Sequence, residues 1–198
     1  FWRQEPVDQG WFTERPMPYL ANYLDLVALG TVADVVPLDS NNRRLVQQGL
    51  LRIRAGRCRP GIKALAEIGK RTLSTLSAQD LGFAIGPRLN AAGRLEDMAI
   101  GIKCLLAEDF REARQRATAL DQLNVARRQL ERDMVGDAEL LLATDQADTE
   151  RTGLSVYHES FHQGVVGIVA GRLRERFHKP VICFADAGDV APDELKGS

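Results

Sequence analysis

The sequence predicts an α/β chain that is mostly helical over its first part, crosses one long helix, and then opens a small strand–helix–strand unit. Three observations carry this. Apolar residues recur at helical spacings from residue 19 to about residue 143. From residue 154 the pattern changes to short apolar runs, LSVYH and PVICFA, on either side of a glycine-rich amphipathic segment, GVVGIVAGRLRERF. A polar segment over 144–152 separates the two regimes and marks a domain boundary near 145–152.

Each element follows from local pattern. Residues 1–18 hold Pro6, Pro16, Pro18 and Gly10 and read as irregular. From Tyr19, the stretch YLANYLDLVALGTVADVV sets Leu20, Leu24, Val27 and Ala28 at helical spacing and continues almost wholly apolar, which predicts a helix buried nearly all round. Pro37 ends it, and the polar turn from Asp39 to Asn42 is suited to cap a helix near 42–55 that presents Leu45, Leu50, Leu51 and Ile53. A short helix over 61–68 follows. Ser77 and Asp80 form a capping-box pattern before Leu81, Phe83, Ala84 and Ile85. The next segment, GPRLNAAGR at 86–94, reads as a loop between helices. Residues 97–106 predict a helix, and Asp109 can cap a longer one reaching about Ala143, whose Ala113, Ala117, Leu120, Leu123, Leu130, Met134, Ala138 and Leu141 keep a period near 3.5. At about 1.5 Å per residue it spans roughly 50 Å, with one apolar stripe among many charges, as a connector packed on one side would have. The last unit is the opening of a βαβ motif, and the tail DAGDVAPDELKGS carries no recognisable end.

Composition excludes several classes. At 198 residues, 44% hydrophobic and 27% charged, the chain resembles an ordinary globular protein with one large or two small domains. No apolar run reaches the length of a membrane span, and the N-terminus has neither a signal-peptide pattern nor an initiator Met, so the chain reads as a piece of a longer protein. Cys58, Cys104 and Cys183 are odd in number and far apart, which argues against a disulfide framework or a cysteine zinc site and for a reducing cytoplasm. Net charge is only -1, but it is unevenly spread. From Arg43 to Arg71 nine cations face one acid, a net of +8, whereas 108–150 holds eleven acids and six arginines, a net of -5. The basic stretch reads either as a nucleic-acid-facing surface or as a solvated helix face.

Chemistry concentrates in few places. In GPRLNAAGR, Arg88 and Arg94 have the fork geometry for phosphate oxygens, Asn90 adds a carboxamide, Gly86 and Gly93 permit unusual dihedrals, and Ala91 and Ala92 leave room for a ligand. The plainer alternative is a connecting turn whose arginines pair with Glu96 or Asp97. Asp34, at the end of the run ALGTVADVVPL, is a carboxylate among apolar neighbours, satisfied either by a divalent ion such as Mg²⁺ or Mn²⁺ or by a cap or ion pair to Arg43 or Arg44. Asp25 is not placed to share a metal with it. His158 and His162 lie four apart in HESFHQG, without a zinc-protease signature. His158 reads as structural, and His162 reads either as structural or as placed for phosphate or carbonyl hydrogen bonding near the helix start at Gly164. No nucleophile elbow or Walker loop is present, so acyl transfer and ATP hydrolysis find no support.

Taken together, YLDLVALGTVADVVPLDSNNRRLVQQGLLRIRAG, CRPGIKAL, LGFAIGPRLNAAGRLEDM and YHESFHQGVVGIVAGRLRERFHKPVICFA resemble, in order and spacing over nearly the whole chain, the RecJ-type single-strand-specific 5′→3′ exonucleases of the DHH phosphoesterase superfamily. The resemblance implies that residues 1–108 are the C-terminal part of a DHH domain, 109–145 its connecting long helix, and 153–198 the truncated start of a DHHA1-type α/β domain. Asp34 falls on a metal-binding, catalytic aspartate of the family. Arg88, Asn90 and Arg94 fall in the segment used near the scissile phosphate and DNA backbone, and His162 falls in a phosphate-binding segment of the second domain. The family's DHH triplet, its aspartate-rich strand end, its late glycine-glycine-histidine segment and its oligonucleotide-binding fold do not occur here. By resemblance, then, the chain is an internal piece, inactive alone, holding part of a two-metal Mg²⁺ or Mn²⁺ site.

The resemblance further implies a cytoplasmic, monomeric enzyme of DNA repair and recombination. Its partners would be single-stranded DNA, a single-strand-binding protein and a helicase, with no membrane association. The alternatives are another DHH phosphodiesterase, acting on oligonucleotides or cyclic dinucleotides, and a non-catalytic DNA-binding relative.

Overall fold

The computed structural model describes residues 8–14, 16–144, 152–188 and 193–198, so part of the irregular start and most of the polar linker lie outside the described residues. A 3-10 turn at Leu20–Tyr23 leads into α1 (Leu24–Ala33), which packs against α2 (Ser40–Arg54). Gly49 makes that contact close: a Cβ there would lie 2.2 Å from the Leu24 carbonyl oxygen. Asp39 caps α2 as its sequence predicts, accepting the Asn42 N–H at 2.8 Å. The expectation of a helix buried all round fails for α1, because only Asp25, Ala28 and Leu29 are buried and the run beyond Ala33 leaves the helix. Val27, Val35, Val36 and Leu38 face outward, and Val35 takes a φ of 55°, left-handed backbone that β-branched residues rarely adopt.

After α3 (Pro60–Ile68), Ser77 and Asp80 close the predicted capping box, with the Ser77 N–H donating to Asp80 at 2.9 Å and the Asp80 N–H donating to Ser77 Oγ at 3.2 Å. A helical turn, Ala78–Asp80, and a π-helical turn, Leu81–Ile85, then run without a break into α4 (Gly86–Leu95). The segment expected as a loop is therefore a helix. The reason lies in Pro87, which has no N–H to donate and whose ring collides with the carbonyl four residues back in a regular α-helix. The π turn, in which the Gly86 N–H donates to Leu81 five residues back, widens the coil there, and Pro87 falls in the first turn of α4, where proline is tolerated. Gly86 and Gly93 are not among the positive-φ residues, so neither supplies unusual dihedrals. Gly86 instead admits α1, since its Cβ would lie 3.2 Å from that of Ala33. Ala91 and Ala92 are fully buried packing residues, not clearance for a ligand.

α5 (Ala99–Leu106) precedes α6 (Phe110–Thr144), a single helix of 35 residues begun by Asp109, which accepts the Glu112 N–H at 2.9 Å. α6 runs through two apolar cores. Ala113, Ala117 and Leu120 join Ile53, Ile62, Leu65, Leu81 and Ile85 in the first. Met134 and Ala138 join Val156, Val165, Val169, Leu173 and Cys183 in the second. Between them the helix buries a polar step: Asn124 is 3% exposed, and Arg127 donates to its Oδ1 at 3.2 Å and to Glu131 at 2.8 Å.

In the second core, β1 (Leu154–Tyr157) and β2 (Val181–Asp186) pair in parallel, with α7 (Val166–Phe177) between them in sequence and packed on β2 and α6, as the βαβ reading requires. A third strand, β3 (Leu195–Gly197), runs antiparallel beside β2 and had no signal in sequence, because its three residues are too few to show alternation. Among the described residues no helix is long and apolar enough to cross a membrane.

Candidate nucleic-acid interface

α4 distributes the predicted phosphate-binding residues over different faces. At about 100° per residue, Asn90 and Arg94 lie close together in angle, while Arg88 points elsewhere, so the three do not fork onto one phosphate as a shared loop would allow. Asn90 and Arg94 are exposed. Arg88 turns toward α6, its side chain only 14% exposed, and its Nε donates to Asp121 at 2.8 Å while Nη1 donates to the Ala84 carbonyl at 2.5 Å. Its partner is thus Asp121, far along the chain, and not Glu96 or Asp97.

Arg94 reaches across to the loop that holds His162. Arg94 Nη1 donates to the Gly164 carbonyl at 3.2 Å, and the Gly164 N–H donates to His162 Nδ1 at 3.0 Å, so both side chains bond the backbone of one residue. Only glycine fits, because a Cβ on residue 164 would lie 2.0 Å from the Arg94 carbonyl oxygen. Leu95, the next residue of α4, packs onto the second core. His158 is tied up within its own loop, its Nδ1 2.7 Å from Ser160 Oγ and its ring 5.8 Å from that of Phe161. This agrees with its structural reading.

Asp34 is exposed, at the C-cap of α1, and its setting is not the apolar one its sequence suggested. The packing of Ala33 on Gly86 nevertheless brings the end of α1 against the start of α4, two residues from Arg88. The buried carboxylate is Asp25, 1% exposed, which accepts Arg59 Nη1 at 2.5 Å, the Arg59 N–H at 2.9 Å and the Leu26 N–H at 2.8 Å. Sequence offered a signal for this pair only in the distant excess of arginines. Among the described residues no three His, Cys, Asp or Glu side chains converge to hold a metal, so Asp34 offers one carboxylate and not a complete site.

The basic stretch is partly internal wiring. Arg59 pairs with Asp25 and lies over the Tyr23 ring, Arg71 pairs with Asp80, Arg54 donates to the Leu76 carbonyl, and Lys63 lies over the Phe110 ring. Arg43, Arg44, Arg57 and Lys70 have no such partner among the described residues and are exposed. Arg52 and Arg57 also line a cleft of about 530 Å³ with Asn22 and Arg59.

No family model matches the chain. It is 58% identical over 195 residues to the single-stranded-DNA-specific exonuclease RecJ of Salmonella typhimurium, covering 96% of this chain and 33% of that protein. The Escherichia coli RecJ gives the same identity and coverage. The Bacillus subtilis RecJ is 37% identical over 174 residues, covering 88% of this chain and 21% of that one. Among solved structures, Thermus thermophilus RecJ in complex with Mg²⁺ superposes with a TM-score of 0.74 at 38% identity over 87% of this chain and 26% of that one. An exonuclease RecJ bound to manganese gives 0.73 at 39% identity, over 87% and 42%. The helical body with its small mixed sheet is shared with these structures, and the chain spans about a third of the length of the Salmonella and Escherichia coli relatives and less of the Bacillus subtilis one. By sequence identity and by fold, this chain belongs to the RecJ family.

Proposed function

We propose that the RecJ-length polypeptide carrying this chain hydrolyses phosphodiesters of single-stranded DNA from the 5′ end, and that this segment supplies part of the DNA-holding surface. The observation that carries the reading is the 58% identity to RecJ exonucleases over nearly the whole chain. In it, residues 1–108 belong to a DHH domain, 109–145 to the connecting helix and 153–198 to a DHHA1-type domain. The separation of two apolar cores along one helix supports that division. DNA repair and recombination, with a single-strand-binding protein and a helicase as partners, form the wider setting of the same proposal.

Asn90 and Arg94 offer exposed donors beside the junction held by Gly164 and His162, and Arg88 offers the free edge of its guanidinium a turn away. Such groups neutralise phosphate charge and position the backbone without reading bases. The exposed Arg43, Arg44, Arg57 and Lys70 add salt-sensitive affinity. Thermus thermophilus RecJ was solved with Mg²⁺ and with Mn²⁺. In our reading Asp34 is this segment's one ligand to such an ion, and the remaining ligands lie elsewhere in the longer polypeptide. A bound ion would supply water activation and charge neutralisation.

Two substitutions in the RecJ-length protein test the reading. Asp34→Ala is expected to lower Mn²⁺-dependent exonuclease activity by at least about 100-fold. Near-normal activity rejects the ligand role. Arg94→Ala is expected to weaken single-stranded DNA binding by roughly 1.5–3 kcal/mol, in the range of a charge-assisted hydrogen bond, with a shallower salt dependence. Unchanged affinity removes Arg94 from the interface.

A further inference from the structure

We propose that Asp121, on the long helix, is a positioning residue for Arg88, and that the two act as one unit on a substrate phosphodiester. The inference rests on the reading of Arg88 as a phosphate-contacting group. A guanidinium carries five N–H donors in one rigid plane, so holding two of its nitrogens fixes where the rest point. Here Asp121 Oδ1 takes Nε at 2.8 Å and the Ala84 carbonyl takes Nη1 at 2.5 Å, on either side of the plane's stem. Among the described residues Nη2 has no partner. The arginine side chain is 14% exposed and the aspartate 32%, so the pair sits at a surface opening and is not sealed in the core.

The sign of the charge makes this informative. A residue placed here only to attract a polyanion would be basic, and a carboxylate beside Arg88 reduces the long-range pull on DNA. What it adds is geometry, since a reacting group displaced by about 1 Å costs up to about 100-fold in rate. Attraction and alignment therefore predict opposite outcomes when Asp121 is removed. The α6 helix is then part of the site and not only a spacer between cores.

In the RecJ-length protein, Asp121→Ala is expected to lower kcat on single-stranded DNA about tenfold while DNA affinity stays equal or tightens, because a negative charge has gone. Asp121→Asn keeps the acceptor and is expected to restore kcat to within about threefold of wild type. A wild-type kcat in Asp121→Ala, or an equal fall in both variants, overturns the proposal. In the same RecJ-length protein, the Arg88 Nε–H should exchange slowly with solvent in wild type and Asp121→Asn and fast in Asp121→Ala. Equal exchange in all three removes the clamp. Arg88→Ala separates the two layers: full activity there overturns the phosphate-contact reading and this proposal with it. A loss there beside an unaffected Asp121→Ala overturns the positioning role alone.

Discussion

Arg94 reaches the Gly164 carbonyl from seventy residues away, and this contact is the kind of fact a sequence does not carry, whereas the Gly164 N–H bond to His162 is local to its loop. Residue types were legible, but their setting was not: the arginines expected in a loop stand on one helix. Partners were not, because Asp121 meets Arg88 only once α4 lies along α6. The same holds for the acids, since an apolar neighbourhood in sequence pointed to Asp34 while packing buried Asp25. Cysteines give a direct check at this scale. Burial pushes the Cys58, Cys104 and Cys183 thiols up to about 11, with Asp25 adding to the effect at Cys58 and Arg116 partly opposing it at Cys104. Only thiolate reacts, so at pH 8 all three are expected to label slowly with iodoacetamide in the native chain and at free-thiol rates after denaturation. Fast native labelling of Cys104 or Cys183, followed by mass spectrometry, would contradict the burial.

Helix boundaries were the most readable feature at the scale of elements, because caps are local. Asp39, Ser77 with Asp80, and Asp109 each start the helix that their sequence announced. The π turn before α4 was not readable, since Pro87 signals a break or a new helix start, and the widened coil carries the chain through it without a break. Asp80 makes the capping energetics testable. The Ser77 N–H and hydroxyl, and then Arg71, hold its carboxyl below the usual range. A lowered folded value means that the contribution is complete above the ordinary carboxylate pKa, about 4, and fades as pH falls through the lowered one. Asp80→Ala is expected to cost about 1 kcal/mol in urea unfolding at pH 7. The gap from wild type should close as the pH is taken down to about 3 and below. A gap that stays constant down to pH 2 would mean the carboxylate charge plays no part in the cap.

Across the whole molecule, the change from helical to strand periodicity coincides with two apolar cores, one among helices and one around the small sheet, and the stripe on α6 contributes to both. The strand β3 stayed invisible because its pairing is made entirely by β2. Among what joins the bodies are a helix with a buried polar step at Asn124, Arg127 and Glu131, Leu95 packed on the second core, and a backbone contact at Gly164 that tolerates no added atom. An alanine inserted between Val125 and Ala126 advances everything beyond it by about 1.5 Å and turns it by about 100°. That should undo the Arg94–Gly164 contact while leaving the first core folded, and faster hydrogen exchange at the Gly164 amide would report it. Unchanged protection of that amide would show the junction to be adjustable. The number of residues in this stretch of helix therefore sets a phase: it stores as a count the angle at which the second body faces the first, and insertions there are read as rotations.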